Sequence, residues 1–369
     1  MAQTIKIIGA GISGLAAASF LAREGCKVEL FEKNAFIGGR LGQIQEAGFS
    51  FDMGPSFYWM PDVFEKFFNQ FGKKVSDYYH LQRLDPGYRI FFGKNEFIDV
   101  PANHEKLLEL FEHYEKGSSK KLVRFLEDAR EKYLLGVGKM VYYPSLSIWE
   151  YADPDLFKGL PKLNVFKSIS AEIKRKFKHP WLIQMLQFPV IFLGATPDQT
   201  PSLYSLMNYA DLQLGSWYPE GGMHQIAKAM HALATENGVT IHTNQPVEHI
   251  LTNHAQVNGL QVNGSKLKAD YILSSADYHH TEQHLLPPDD RQFKKKYWER
   301  KTFAPAAVML YLGINKRLKN LQHHNLFFDE SFERHASEIY KQPQWPEKPA
   351  LYVSCTSITD PTVAPEGHE

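Results

Sequence analysis

Residues 4–32 hold the feature that most limits what this chain can fold into. Thr4-Ile5-Lys6-Ile7-Ile8 reads as a buried strand, Gly9-Ala10-Gly11-Ile12-Ser13-Gly14 as a tight turn, and 15–23 as an alanine-rich helix that Gly25 stops. Residues 27–32 then alternate as a second strand ending on Glu32. Strand, crossover helix and strand within about 30 residues predict a parallel sheet, and with it an α/β fold.

The turn is a GxGxxG, a weak signal alone. Here a strand precedes it, a helix follows, and Glu32 lies 23 positions beyond Gly9. The first glycine permits the turn, the second lets backbone N–H groups approach a pyrophosphate, and the third lets helix and strand pack closely. The helix N-terminus adds partial positive charge. Glu32 suits an adenosine ribose and repels a 2′-phosphate, so NADP is the poorest of the dinucleotide candidates. Six residues past Glu32 comes Gly38-Gly39-Arg40, then Phe51-Asp52-Met53-Gly54-Pro55-Ser56. The paired glycines can bring a second backbone segment to the same diphosphate, with Arg40 as a charge-assisted donor. A nicotinamide enzyme has no particular need of this extension, which favours FAD.

The rest of the chain narrows the class. Its 369 residues suggest two domains, and 43% hydrophobic content fills a sizeable core. Forty-one basic against forty-one acidic residues remove the bulk electrostatic case for nucleic acid. Cys26 and Cys355 make no zinc spacing, and His279-His280 with His284, like His323-His324, lack metal-binding partners at recognisable spacing, so no metal is expected and a reducing cytosol fits. The uncharged run 7–22 belongs to the glycine turn, not to a spanning helix. There is no GxSxG and no second GxGxxG, which disfavours hydrolases and two-dinucleotide reductases. Helices are expected within 103–130 and at 223–236, a connection at 143–162, and strands at 239–242, 247–251, 256–262 and 271–274 with Asn-Gly turns at 258–259 and 263–264. The stretch 302–314 is apolar and β-leaning.

Between 158 and 178 stand seven Lys or Arg residues and one acid, Glu172. Val165, Phe166, Ile169, Ile173 and Phe177 recur there at helical spacing. The pattern reads either as an interfacial helix with its apolar face in lipid or as a helix packed on the core with solvated lysines.

The run IIGAGISGLAAASFLAREGCKVELFEKNAFIGGR resembles the N-terminal fingerprint of the flavin amine oxidase superfamily. FDMGPSFYWMP, SWYPEGGMHQIAKAM at 216–230 and Ser275-Ala276-Asp277 narrow the resemblance to bacterial-type phytoene (carotenoid) desaturases. It implies a Rossmann-like FAD-binding domain of GR2 type, formed by 1–75 plus 216–290, with an inserted α+β substrate domain of 76–215 plus 291–369. Gly9, Gly11, Ile12, Ser13, Gly14, Glu32 and Lys33 would hold the ADP half of FAD, and Gly38, Gly39 and Arg40 would run past the diphosphate. The Met53-Gly54-Pro55-Ser56 loop would approach the flavin ring. The Val247 backbone would contact adenine, and Ala276 would let the dinucleotide pass.

The implied reaction moves a hydride from a C–C unit of a linear polyene to flavin, with quinone or oxygen as electron acceptor and no assigned catalytic acid or base. The implied setting is the cytoplasmic face of a membrane, held peripherally, where the resemblance favours the lipid-facing reading of 158–178. The same residues would serve a carotenoid isomerase, a retinol saturase-like enzyme or an amine oxidase. A further alternative is an inactive FAD-binding fragment. In the family the Asp-Pro-x-x-Ala-Pro-Glu-Gly run, matched here at 360–367, lies well inside the protein, so a C-terminally truncated chain with weak FAD binding and poor turnover is expected.

Overall fold

The computed structural model describes residues 2–151, 167–304, 306–328 and 332–369. Its first sheet is parallel and four-stranded, in the spatial order Tyr271–Ser274, Thr4–Ile8, Lys27–Phe31, Thr240–His242. Ile5, Ile7, Val28 and Leu30 face helices Ile12–Arg23 and His224–Glu236, packing on Leu15, Ala18, Ile226 and Met230. Ile8 and Phe31 turn the other way, onto Ile250, Leu260 and Leu285. Apolar residues on both faces account for strands that read as near-continuous hydrophobic runs.

Beside it lies an antiparallel meander, Val247–Asn253, Gln256–Val262 and Ser265–Lys268. Asn263 (φ 46°) and Gly264 (φ 75°) make its two-residue turn, as the Asn-Gly signal predicts. The other Asn-Gly pair does not turn. Asn258 and Gly259 sit inside a strand paired on both sides, where a Cβ on Gly259 would come within 2.1 Å of the Leu267 carbonyl oxygen. Close backbone approach, not a turn, explains that glycine.

A second four-stranded sheet runs Leu351–Ser354, His324–Phe327, Tyr88–Phe91, Phe97–Val100. Helices His104–Tyr114, Ser118–Gly136, Ile169–Lys176 and Pro180–Gln187 contribute to the same core. Here the lipid-facing reading is corrected for 167–178, the described part of the 158–178 stretch. Ile169, Ile173 and Phe177 are fully buried, with Phe177 edge-on to Phe111 at 5.7 Å and to Phe125 at 6.2 Å between ring centroids. Glu172 is buried too, paired with Lys132 at 3.3 Å and Lys176 at 3.2 Å. A two-turn stripe flanked by cations is equally served by an aromatic core beneath and water above, and the core wins here. Val165 and Phe166 lie outside the described residues.

Residues 306–314 run outside any named strand, with Val308, Leu310 and Leu312 exposed. Only Ile314 exchanges paired backbone bonds, with Glu369 at 2.7 and 2.9 Å. β-propensity without a partner strand does not make a strand. Among the described residues no helix is long and apolar enough to cross a membrane.

Candidate functional site

The glycine turn opens where the parallel strands end. Gly9 has φ +95°, a conformation that L side chains avoid. Its N–H donates to the Phe31 carbonyl at 2.8 Å. A Cβ on Gly14 would lie 2.1 Å from the Gly9 carbonyl oxygen, so the helix presses directly on the turn. Around Gly11 the reverse holds, since an added Cβ there meets nothing within 4 Å. Gly11 also caps the helix with no side-chain acceptor, and the first turn carries no acid. The helix N-terminus beside Ile12 and Ser13 thus faces open space with its N–H donors unclaimed by any capping side chain, the arrangement an anionic diphosphate requires.

Gly38 forms a parallel bridge to Gly11, and its N–H donates to the Ala10 carbonyl at 2.8 Å. Gly39 packs with its Cβ position 3.4 Å from the Gly11 Cα. Arg40 and Lys33 are exposed. Gly54 is forced by contact with Arg40, whose carbonyl oxygen is 2.2 Å from any Cβ placed there. The structure therefore brings Gly9 to Gly14, Gly38 to Arg40 and the loop from Met53 to Ser56 into one continuous backbone surface.

Glu32 is buried at the edge of that surface. Its Oε2 accepts the Ala10 N–H at 2.9 Å, and its Oε1 accepts both the Asn34 N–H and side-chain amide at 2.9 Å. A carboxylate has about four lone-pair directions, so roughly one is left for a ribose hydroxyl. Its backbone ties down the neighbouring strand, Gln245 N–H donating to the Glu32 carbonyl at 2.8 Å, two residues before Val247. Val247 and Ala276 both pack on the Ile8 and Phe31 cluster, and the Ala276 nitrogen lies 3.6 Å from the Gly9 Cβ position. Asp277 is a helix cap, accepting the His280 N–H at 3.0 Å.

Sequence reasoning assigned no role to four residues that hold this surface together. Ser275 donates to the Ile8 and Gly9 carbonyls at 2.9 and 2.8 Å, pinning the turn from the last strand. Asp52, half-buried and with its carboxyl raised above the ordinary range by desolvation, accepts the Met223 N–H at 2.8 Å and the His224 N–H at 3.3 Å. It thereby caps the helix of the Pro-Glu-Gly-Gly-Met segment. Its helical partner His224 turns its Nδ1 to the Leu41 carbonyl at 2.6 Å. Asp360, from the 360–367 run, accepts the Gly221 N–H at 2.7 Å and the Tyr218 hydroxyl at 3.2 Å on the far side. An acid preceding a glycine loop, matched to a helix beginning with Gly-Gly, was the available signal for Asp52. For Ser275 it was a hydroxyl at the end of a strand parallel to the first.

The fourth is Tyr352. Its hydroxyl donates to Ser56 Oγ at 2.7 Å and lies 2.7 Å from His324 Nδ1. Phe57, the residue after Ser56, stacks on the His324 ring at 3.9 Å and contacts Trp59, Tyr88 and Phe188. An aromatic box therefore begins where the loop ends. Nothing in the local sequence announces it, because its members come from five distant segments.

A family model described as flavin containing amine oxidoreductase matches residues 12–368. The chain is 39% identical over 367 residues to a carotenoid 3,4-desaturase from Haloarcula japonica, an alignment covering 99% of this chain and 74% of the relative. It is 32% identical over 368 residues to a zeta-carotene-forming phytoene desaturase from Myxococcus xanthus, covering 100% of this chain and 71% of that one. Among solved structures, an oxidoreductase from Methanosarcina mazei superposes with a TM-score of 0.64 at 19% identity, covering 99% of this chain and 77% of that one, a likeness of fold.

Proposed function

The chain belongs to the flavin-containing amine oxidoreductase family, and from that premise we propose that it is an FAD-dependent carotenoid desaturase, an oxidoreductase acting on CH–CH groups of a linear polyene. The observation that carries this reading is the continuous backbone surface from Gly11 through Gly38 and Gly39 to Gly54, which leads at Phe57 into an aromatic box. The first part suits a dinucleotide, the second a flat apolar chain.

FAD, when bound, supplies the redox chemistry by taking a hydride. The protein's residues do the rest. Gly11, Ile12, Ser13 and Gly14 offer backbone donors to the diphosphate, Gly38, Gly39 and Arg40 flank it, and Glu32 with Lys33 borders the ribose. Met53, Gly54, Pro55 and Ser56 border the ring, while Val247 and Ala276 close the adenine side. Phe57, Trp59 and Phe188 hold the polyene flat and exclude water. The two-unit division into 1–75 plus 216–290 and 76–215 plus 291–369 is part of the same reading.

The enzyme works peripherally on the cytoplasmic face of a membrane, where its substrate is dissolved, and passes electrons to quinone or oxygen. What supports the membrane contact is no longer the buried stripe at 169–177. It is the strongly apolar exposed segment with Leu134, Val141, Tyr142, Leu146 and Trp149, of which Leu146 is 87% and Trp149 80% exposed.

The test is anaerobic mixing of FAD-loaded protein with phytoene-type polyenes. Desaturation bleaches the flavin and lengthens the polyene chromophore together. Isomerisation without net flavin reduction, or reduction by amines and not by polyenes, would overturn the reading.

A further inference from the structure

His324 is completely buried, on the first residue of the strand His324–Phe327. Its hydrogen-bond bookkeeping is unusual. Tyr352 has a single hydroxyl proton and spends it on Ser56 Oγ. The 2.7 Å contact between Tyr352 Oη and His324 Nδ1 therefore has the imidazole Nδ1–H as its donor. That assignment leaves Nε2 as a bare acceptor, and among the described residues Nε2 has no hydrogen-bond partner. Buried polar atoms without partners are uncommon and costly, and in native proteins they point to function. This one lies in the aromatic box, its ring stacked on Phe57, two hydrogen bonds away from the Met53–Ser56 loop.

We propose that His324 is the base that takes the proton released when the polyene is dehydrogenated, with Tyr352 and Ser56 as positioning residues that hold its Nδ1-protonated tautomer. The inference rests on the desaturase reading and deepens it. Two C–H bonds on adjacent carbons break. One leaves with its electron pair as hydride to the flavin. The other leaves its electron pair behind to form the new C=C bond, and its proton passes to Nε2.

The polyene is neutral before and after, the cofactor gains one negative charge, and the imidazole gains one positive charge. Burial holds the imidazole neutral in the resting protein, well below its ordinary protonation range, which keeps Nε2 free to accept. The negative charge arriving with the hydride then stabilises the imidazolium in the same step, because opposite charges attract and the His324 ring is itself fully buried. Orientation of a base by a hydrogen bond on its far nitrogen is a recurring device.

The experiment has two arms on the full chain loaded with FAD. Nitrogen-15 NMR of histidine-labelled protein reads the tautomer without substrate. A protonated Nδ1 and bare Nε2 for His324 are expected, and in Tyr352→Phe the signal shifts toward a tautomer mixture. The reverse tautomer in the unaltered protein overturns the proposal. In the second arm, His324→Asn keeps an N–H where Nδ1 donates but removes the base. Flavin reduction by polyene in a single turnover should slow at least about 100-fold with FAD content and polyene affinity retained, the usual range for a lost general base. Reduction at the unaltered rate overturns the role of His324 and leaves the desaturase reading standing. Failure of the unaltered protein to be reduced by any polyene sinks that reading, and this inference with it. Should the Asn variant not fold, the tautomer measurement decides.

Discussion

The Asp52 carboxylate accepts the Met223 N–H at 2.8 Å across 171 residues of sequence, joining the end of strand Phe49–Asp52 to the start of helix His224–Glu236. Gly222, at φ +99°, brings its backbone so close that a Cβ there would stand 2.9 Å from the same carboxylate. Asp52→Ala removes the acceptor for two N–H groups, and helix-cap losses of this kind cost about 1–2 kcal/mol. Urea unfolding should show that loss, accompanied by weaker FAD retention because Met53 to Ser56 follow directly. Unchanged retention at reduced stability would separate the cap from the cofactor site.

Two glycines of one motif should behave oppositely. Gly14→Ala places a methyl against the Gly9 carbonyl at 2.1 Å, a clash only a backbone shift relieves, so the variant should be destabilised by roughly 2–3 kcal/mol or more and lose FAD with its fold. Gly11→Ala meets nothing within 4 Å, so it should unfold like the unaltered protein, yet bind FAD at least tenfold more weakly because its methyl fills the space reserved for the diphosphate. Equal FAD affinity in Gly11→Ala would remove the dinucleotide from that cleft.

The contrast shows what was legible in the sequence and why. The βαβ opening, the Asn263-Gly264 turn and the helix at 224–236 are set by local chemistry, and local chemistry is written in neighbouring residues. Asn258-Gly259 carried the same turn signal and became strand, because pairing on both sides decided it. Ile169, Ile173 and Phe177 show an amphipathic stripe whose partner, lipid or core, no local pattern names. Tyr352, and the pairing it gives His324, carry no such local signal, because the partners lie 28 and 296 positions apart in sequence.

Asp211 makes a pH prediction. It is buried beneath Tyr88, whose hydroxyl donates to it at 2.7 Å, and desolvation raises its carboxyl to about 7 from 3.8. A raised carboxyl means that between pH 4 and 7 the folded protein keeps a proton the unfolded chain releases. The contribution of Asp211 to stability is therefore lost as pH rises through that window, by roughly 4 kcal/mol at most. Asp211→Asn has no proton to lose and still accepts from Tyr88. Its stability should be flatter from pH 5 to 8 and higher than that of the unaltered protein at pH 8, and an identical pH slope would show that Asp211 stays ionised.

Membrane attachment separates the buried stripe from the exposed segment. Ile173 has no exposed surface, so Ile173→Ser opens the core and should cost about 2–4 kcal/mol of stability, while the folded fraction binds vesicles as before. Leu146 and Trp149 touch little of the protein, so Leu146→Ser and Trp149→Ser should leave unfolding unchanged. Each removes a side chain worth about 1.5 kcal/mol or more on transfer from water, enough to weaken vesicle binding about tenfold. Salt should have little effect on these two losses, because apolar burial is not screened. Co-sedimentation with vesicles resembling an anionic bilayer, run at low and high salt, checks all three variants. Binding lost in Ile173→Ser but kept in the other two would return the membrane face to the stripe at 169–177.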